Sequence, residues 1–131
     1  SNHSLIDDPD VALEYWGYHL ILDCRNGNLK KVKSADTIKS FVQELVKEID
    51  MVASGEPNIK HFATHNEDAA GYSLVQLIET SSITGHFVDK NGDCYIDIFS
   101  CKAFDIETAK KVVNKYFSPE QIKVTYLTRQ A

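Results

Sequence analysis

Between Gln76 and Cys101 the chain reads QLIETSSITGHFVDKNGDCYIDIFSC, and five of its side chains are of types that do chemistry at close quarters. Ser81 and Ser82 are hydroxyl nucleophiles, His86 is an imidazole base, Asp97 is a carboxylate able to orient an imidazole, and Cys101 is a thiol able to give up a proton. A serine attacks only when a base lies within hydrogen-bond reach, so the fold decides whether these groups work together.

Asn91-Gly92, inside DKNGD, predicts a two-residue hairpin turn, which places His86 opposite Asp97 and Ser82 opposite Cys101. Because strand side chains alternate, Ser82, Thr84 and His86 then share a face with Asp97, Phe99 and Cys101. Ile83, Phe87, Ile96 and Ile98 point the other way and need an apolar layer to meet. The polar face suits a cleft or a subunit contact. A histidine and a cysteine on paired strands are by themselves most simply packing and hydrogen-bonding residues, so the spacing of the whole set has to carry any further reading.

Two amphipathic helices supply the apolar layer. Ile38, Phe41, Val42, Leu45, Val46, Ile49 and Val52 recur at three- and four-residue steps, with Ser34 or Asp36 as the cap and Gly55 followed by Pro57 as the stop. Asp105 caps a second helix in which Ile106, Ala109, Val112, Val113, Tyr116 and Phe117 share a face. Strands are expected over YWGYHLILDC (15–24, with Gly17 at a bend or bulge), NIKHFATH (58–65), YSLVQLIE (72–79) and QIKVTYLT (121–128), the last alternating like an outer strand. This order predicts an α+β fold, a two-layer sandwich of an antiparallel sheet with two main helices packed on one face. It lacks the βαβ alternation and Gly-rich loop of a doubly wound nucleotide fold.

The chain of 131 residues is expected to hold one domain over 13–131, preceded by a loose arm over 1–12 whose opening Ser-Asn resembles a tag remnant. A net charge of −5 without a basic stripe argues against nucleic acid, and no apolar run approaches the roughly 20 residues that cross a bilayer. Cys24, Cys94 and Cys101 are odd in number and fit no zinc spacing, which suits a reducing, cytoplasmic setting. His61, His65, Glu67 and Asp68 are metal-ligand types, but the i, i+4 histidine spacing belongs to a helix and this segment reads as strand and loop. Solvation accounts for them better.

The string from Gly71 to Cys101 resembles the small bacterial S-adenosylmethionine decarboxylase proenzymes, whose pattern runs Gly-Val-Ser-Gly, an apolar stretch, Glu-Ser-His, His-Thr-Trp-Pro-Glu and Asp-Val-Phe-Thr-Cys. In register, the family's cleavage serine falls on Ser81, its processing histidine on His86, its proton-donor cysteine on Cys101 and a second processing serine on Ser73. WGYHLILD is similar to the family's Gly-Arg-His-Leu strand. The resemblance implies self-cleavage between Thr80 and Ser81 and a pyruvoyl cofactor formed from Ser81. That group would bind the amine of S-adenosylmethionine as a Schiff base, in polyamine (spermidine) synthesis, with a homodimer whose active sites draw on both protomers. Four departures surround the pocket. Thr80 replaces a glutamate, Ser82 a histidine, Val88-Asp89-Lys90 the Trp-Pro-Glu, and HFATHNEDAAG is a longer segment than the family's. They leave open a pyruvoyl decarboxylase for another amine substrate, such as a basic amino acid, and a non-processing homologue with a binding or regulatory role. Asp97 is expected to orient His86, and Phe62, Tyr72, Phe87 and Phe99 are the candidates to stack on an adenine.

Overall fold

In a computed structural model, which describes residues 15–131, the alternating segments form one six-stranded sheet. The expected arm lies outside the described residues. The strands are β1 (Gly17–Arg25), β2 (Asn58–Phe62), β3 (Gly71–Ile78), β4 (Ser81–Val88), β5 (Cys94–Ser100) and β6 (Gln121–Arg129), in the spatial order β2-β3-β4-β5-β1-β6. Every neighbouring pair is antiparallel. A short helix α1 (Leu29–Val32) follows β1, and the two long helices are α2 (Ala35–Glu48) and α3 (Ile106–Phe117).

Period decides which faces meet. Leu20, Leu22, Leu74, Ile83, Ile96 and Ile98 point from one sheet face into a core closed by Phe41 and Leu45 of α2 and Val113 and Phe117 of α3. The Phe41 ring meets Phe117 edge-on at 4.9 Å between centroids and Phe87 at 6.3 Å. The layer is the α+β sandwich that the sequence predicts, with both long helices on one face. Ser34 caps α2 by accepting from the Thr37 amide at 3.1 Å, and Asp105 caps α3 by accepting from the Thr108 amide at 3.3 Å and the Thr108 hydroxyl at 2.6 Å.

Four local expectations are corrected. Helix α2 stops at Glu48 rather than running to Val52, because Asp50 takes a left-handed φ of 61° and turns the chain away. Strand β2 likewise ends at Phe62, before Ala63 at φ 59°. Gly17 sits in the β1–β6 ladder opposite Arg129 rather than at a bulge; it is small because a Cβ there would lie 2.8 Å from the Phe99 ring. The link between β4 and β5 is a five-residue loop, 89–93, and not a two-residue turn. Asn91 accepts the Asp93 amide on its side chain at 2.9 Å, which widens the loop, and Gly92 at φ 82° closes it. The pairing therefore shifts: His86 lies opposite Tyr95, Thr84 opposite Asp97 and Ser82 opposite Phe99. The shift preserves which side chains share a face.

Gly92 also docks on Gly27, whose amide donates to the Gly92 carbonyl at 2.8 Å, and a Cβ at position 92 would run into the Gly27 carbonyl. Gly55 has a similar φ of 78° but open space around it. Gly55→Ala should therefore lose only the backbone penalty, about 1–2 kcal/mol, and Gly92→Ala at least about 2 kcal/mol more because the docking is also broken. Urea unfolding of the two variants checks the difference.

Candidate functional site

Strands β3 and β4 are joined by the two residues Glu79 and Thr80, so the Thr80–Ser81 peptide lies at the exit of a tight turn. Two-residue hairpins normally take positive φ at their central residues, which matches the twist of the strands. Glu79 and Thr80 have no positive φ. Ser81 does, at 155°, an angle that side-chain-bearing residues rarely take. The backbone distortion of the turn thus falls on the residue whose hydroxyl neighbours the Thr80 carbonyl. That carbonyl accepts the Cys101 amide at 3.0 Å, because Ser81 pairs with Ser100 and the ladder continues one step beyond the strands.

Ser73 and His86 form a second cluster. They face each other across β3 and β4, and the Ser73 hydroxyl lies 2.8 Å from His86 Nδ1. His86 Nε2 is 2.9 Å from the Ala69 carbonyl. A carbonyl only accepts, so Nε2 carries the proton of the neutral ring and Nδ1 is the free base that accepts from Ser73. The Ala69 carbonyl is presented by a loop in which the Ala69 and Ala70 amides both donate to the Asn66 carbonyl, at 3.0 and 2.9 Å. This loop is part of the longer segment noted in the sequence.

The two clusters do not meet within one chain. His86 is five residues along β4 from Ser81, about 16 Å at the rise of a strand. The expectation that Asp97 orients His86 is also corrected: Asp97 binds His19 Nε2 at 2.9 Å, since β1 lies beside β5 and sets His19 next to the Asp97 row.

Beside the Ser81 end, Phe99 lines a cavity of ≈ 430 Å³ together with Trp16, Arg129, Gln130 and Ala131. The Trp16 and Phe99 ring centroids are 6.0 Å apart, and the Arg129 guanidinium lies 5.2 Å from the Phe99 centroid. Phe99 pairs with Ser82, one step from Ser81, which brings this aromatic and cationic wall to the turn. Sequence reasoning missed Trp16, His19 and Arg129. Of the other aromatic candidates, Phe87 is fully buried in the core, Tyr72 packs edge-on against His61, and Phe62 is exposed on the edge strand. His61 bonds Asp89 at 2.6 Å, and among the described residues no group of three or more His, Cys, Asp or Glu side chains could hold a metal ion. No helix among them is long and apolar enough to cross a membrane.

The family model for S-adenosylmethionine decarboxylase matches residues 18–130, nearly all of the described chain. The chain belongs to the S-adenosylmethionine decarboxylase family. An S-adenosylmethionine decarboxylase proenzyme of Clostridium botulinum strain Langeland is 29% identical over 117 residues, covering 85% of this chain and 93% of that protein. The proenzyme of strain Hall is 30% identical over 94 residues, covering 71% and 76%. The adenosylmethionine decarboxylase of Aquifex aeolicus has the same fold, with a TM-score of 0.75 at 18% identity over 91% of this chain and 94% of that one. This decarboxylase-family sheet carries its differences from the family pattern at Thr80, at Ser82 and in the loop holding His86.

The three thiols are in unlike settings. Cys24 and Cys94 face each other inside the core, and burial pushes the Cys24 thiol up to about 12 and raises that of Cys94 as well. Cys101 is exposed. At neutral pH, where a thiol raised that far holds almost no thiolate, iodoacetamide should add once to the folded protein, at Cys101, and three times after denaturation; intact mass reads the count.

Proposed function

We propose that this protein is a self-processing, pyruvoyl-dependent decarboxylase that acts on S-adenosylmethionine in polyamine synthesis. The observation that carries the reading is the scissile peptide itself: a carbonyl at Thr80 already held by an amide donor, followed by a serine in a rare backbone conformation. In the first step the Ser81 hydroxyl adds to the Thr80 carbonyl carbon. The carbon–nitrogen bond breaks as the hydroxyl proton passes to the Ser81 nitrogen, leaving an ester. During the addition the Thr80 oxygen gains negative charge, and the Cys101 amide at 3.0 Å is aimed at it. Donors of this kind are worth about 10²–10³ in rate. Removal of the Ser81 α-proton by a base then expels Thr80 as a carboxylate, and hydrolysis of the dehydroalanine left behind gives ammonia and the ketone.

The residues fit the group: Ser81 is its source and Cys101 is adjacent to it in the ladder, with an exposed thiol that can hold or deliver a proton. The pyruvoyl group supplies an electron sink for decarboxylation of an amine. Phe99, Trp16 and Arg129 wall the space beside it, where the planar part of the substrate would be held.

The base is supplied by a second copy. His86 is too far along its own strand to reach Ser81, whereas the sheet face opposite the helices is uncovered among the described residues and carries exposed Val75, Leu77, Tyr95 and Leu127 around its polar rows. Exposed apolar side chains at that density mark an interaction surface. A two-fold axis lying in the plane between the two faces and running across the strands lays two such sheets together end for end. The Ser73–His86 row of one chain then overlies the Ser81 end of the other. The homodimer and its composite site follow from that arrangement.

Intact mass of purified protein should read two chains divided between Thr80 and Ser81, with Ser81→Ala remaining whole and His86→Ala processed at least about 10²-fold more slowly. Co-expression is the sharper measurement: His86→Ala chains should be cut when assembled with Ser81→Ala copies and not when alone. Wild-type protein that stays full length on long incubation overturns the self-processing reading.

A further inference from the structure

Thr80 stands where the family pattern has a glutamate, and its side chain is turned inward rather than toward the open face. The Thr80 hydroxyl donates to Met51 Sδ at 3.3 Å and accepts from the Ser100 hydroxyl at 2.8 Å. Ser100 is fully buried and in turn accepts from the Lys102 amide at 2.9 Å. A hydroxyl has one proton to give, and the shortest contacts run from the Lys102 amide to Ser100, to Thr80, to the Met51 sulfur, with the Ser100 hydroxyl itself 3.7 Å from that sulfur. Each hydroxyl in that relay both accepts and donates. The hydroxyls of Ser100 and Thr80 are both partnered only while all members keep their places, which is the condition for a rigid network.

Both ends of the relay are anchored. The Met51 amide donates to the Val46 carbonyl at 2.9 Å, fixing it to the last turns of α2, and Lys102 Nζ donates to the Asp50 carbonyl at 2.7 Å and the Asp50 carboxylate at 3.0 Å. The segment after α2 also pairs with the turn, where the Glu79 amide donates to the Val52 carbonyl at 2.9 Å. The Cys101 amide that holds the Thr80 carbonyl lies between Ser100 and Lys102.

We infer that Thr80, Ser100 and Met51 form a hydroxyl clamp that positions the Thr80 carbonyl between the Cys101 amide and the Ser81 hydroxyl, so that Thr80, standing where the family pattern has a glutamate, takes a positioning role in self-cleavage. These are positioning residues; none of their side chains exchanges a bond in the reaction. The inference rests on the self-processing reading for its consequence, but the clamp itself can be observed without cleavage.

Two measurements separate the possibilities. In a Ser81→Ala background, which cannot be cut, hydrogen exchange of the Cys101 amide by NMR should quicken at least tenfold when Thr80→Val or Ser100→Ala is added, with the amides of Leu20 and Ile83 unchanged. In chains carrying Ser81, synthesised in a cell-free system and followed by intact mass, Thr80→Val and Ser100→Ala should each slow cleavage at least tenfold. Thr80→Ser, which keeps the hydroxyl, should stay within threefold of wild type. The double variant should be little slower than either single one, because both remove the same relay. Unchanged Cys101 exchange and unchanged cleavage in Thr80→Val overturn the clamp. Quickened Cys101 exchange in the substituted Ser81→Ala chains, together with a wild-type chain that never cleaves, retains the clamp and overturns the self-processing reading instead.

Discussion

One backbone hydrogen bond, from the Cys101 amide to the Thr80 carbonyl, organises the end of the sheet where β3 turns into β4. It exists only if β4 and β5 are in a particular register, and that register is set at the far end of the hairpin. There the Asn91 side chain widens the loop and Gly92 seats against Gly27. A slip of one residue in this pairing would turn every side chain of a strand to the opposite face and present a different donor to Thr80. A glycine contact at one end of the hairpin thereby governs the hydrogen bond that the Thr80 carbonyl accepts at the other.

The two faces of the sheet divide the work. The face against α2 and α3 is aliphatic and aromatic, and it holds the strands with the close packing of a core. The other face carries Ser82, Phe99 and His19 in one row and Ser73, His86 and Tyr95 in another. The imidazoles of His19 and His86 and the hydroxyls of Ser73 and Ser82 lie on the face opposite α2 and α3, where a second surface can reach them, while the Phe87 ring and the Ser100 hydroxyl lie on the inner side. Thr80 joins Ser100 on the inner side, reaching from the turn back toward Met51, just beyond α2.

Much of this arrangement was legible before the structure because it depends on short-range rules. Alternation assigned the faces of β4 and β5, and the caps announced themselves by type and place, Asp105 for α3 and, as one of two candidates beside Asp36, Ser34 for α2. What was not legible depends on distance in sequence. Asn91-Gly92 signalled a turn, but a side-chain bond from Asn91 to Asp93 enlarged it, and the expected opposition of His86 and Asp97 was lost with the register. Nothing local to β1 says that it inserts between β5 and β6, so the His19–Asp97 bond could not be read. Trp16 and Arg129 come from near the two ends of the described chain and meet Phe99 only through that same insertion. Ser81 and His86 were singled out by type and spacing as the candidate nucleophile and base, yet a five-residue offset along one strand puts them on different rows, and that separation needs coordinates.

The strand order has a further consequence for a chain divided at Thr80–Ser81. The amino-terminal piece would hold β1, β2 and β3 and the carboxy-terminal piece β4, β5 and β6, but β1 lies between β5 and β6. The fragments are therefore interleaved rather than side by side. Pulling them apart means unzipping three ladders at once, β3 from β4 and β1 from each of its neighbours, as well as separating α2 from α3. Severing the covalent link here frees a new amino terminus without freeing a subunit.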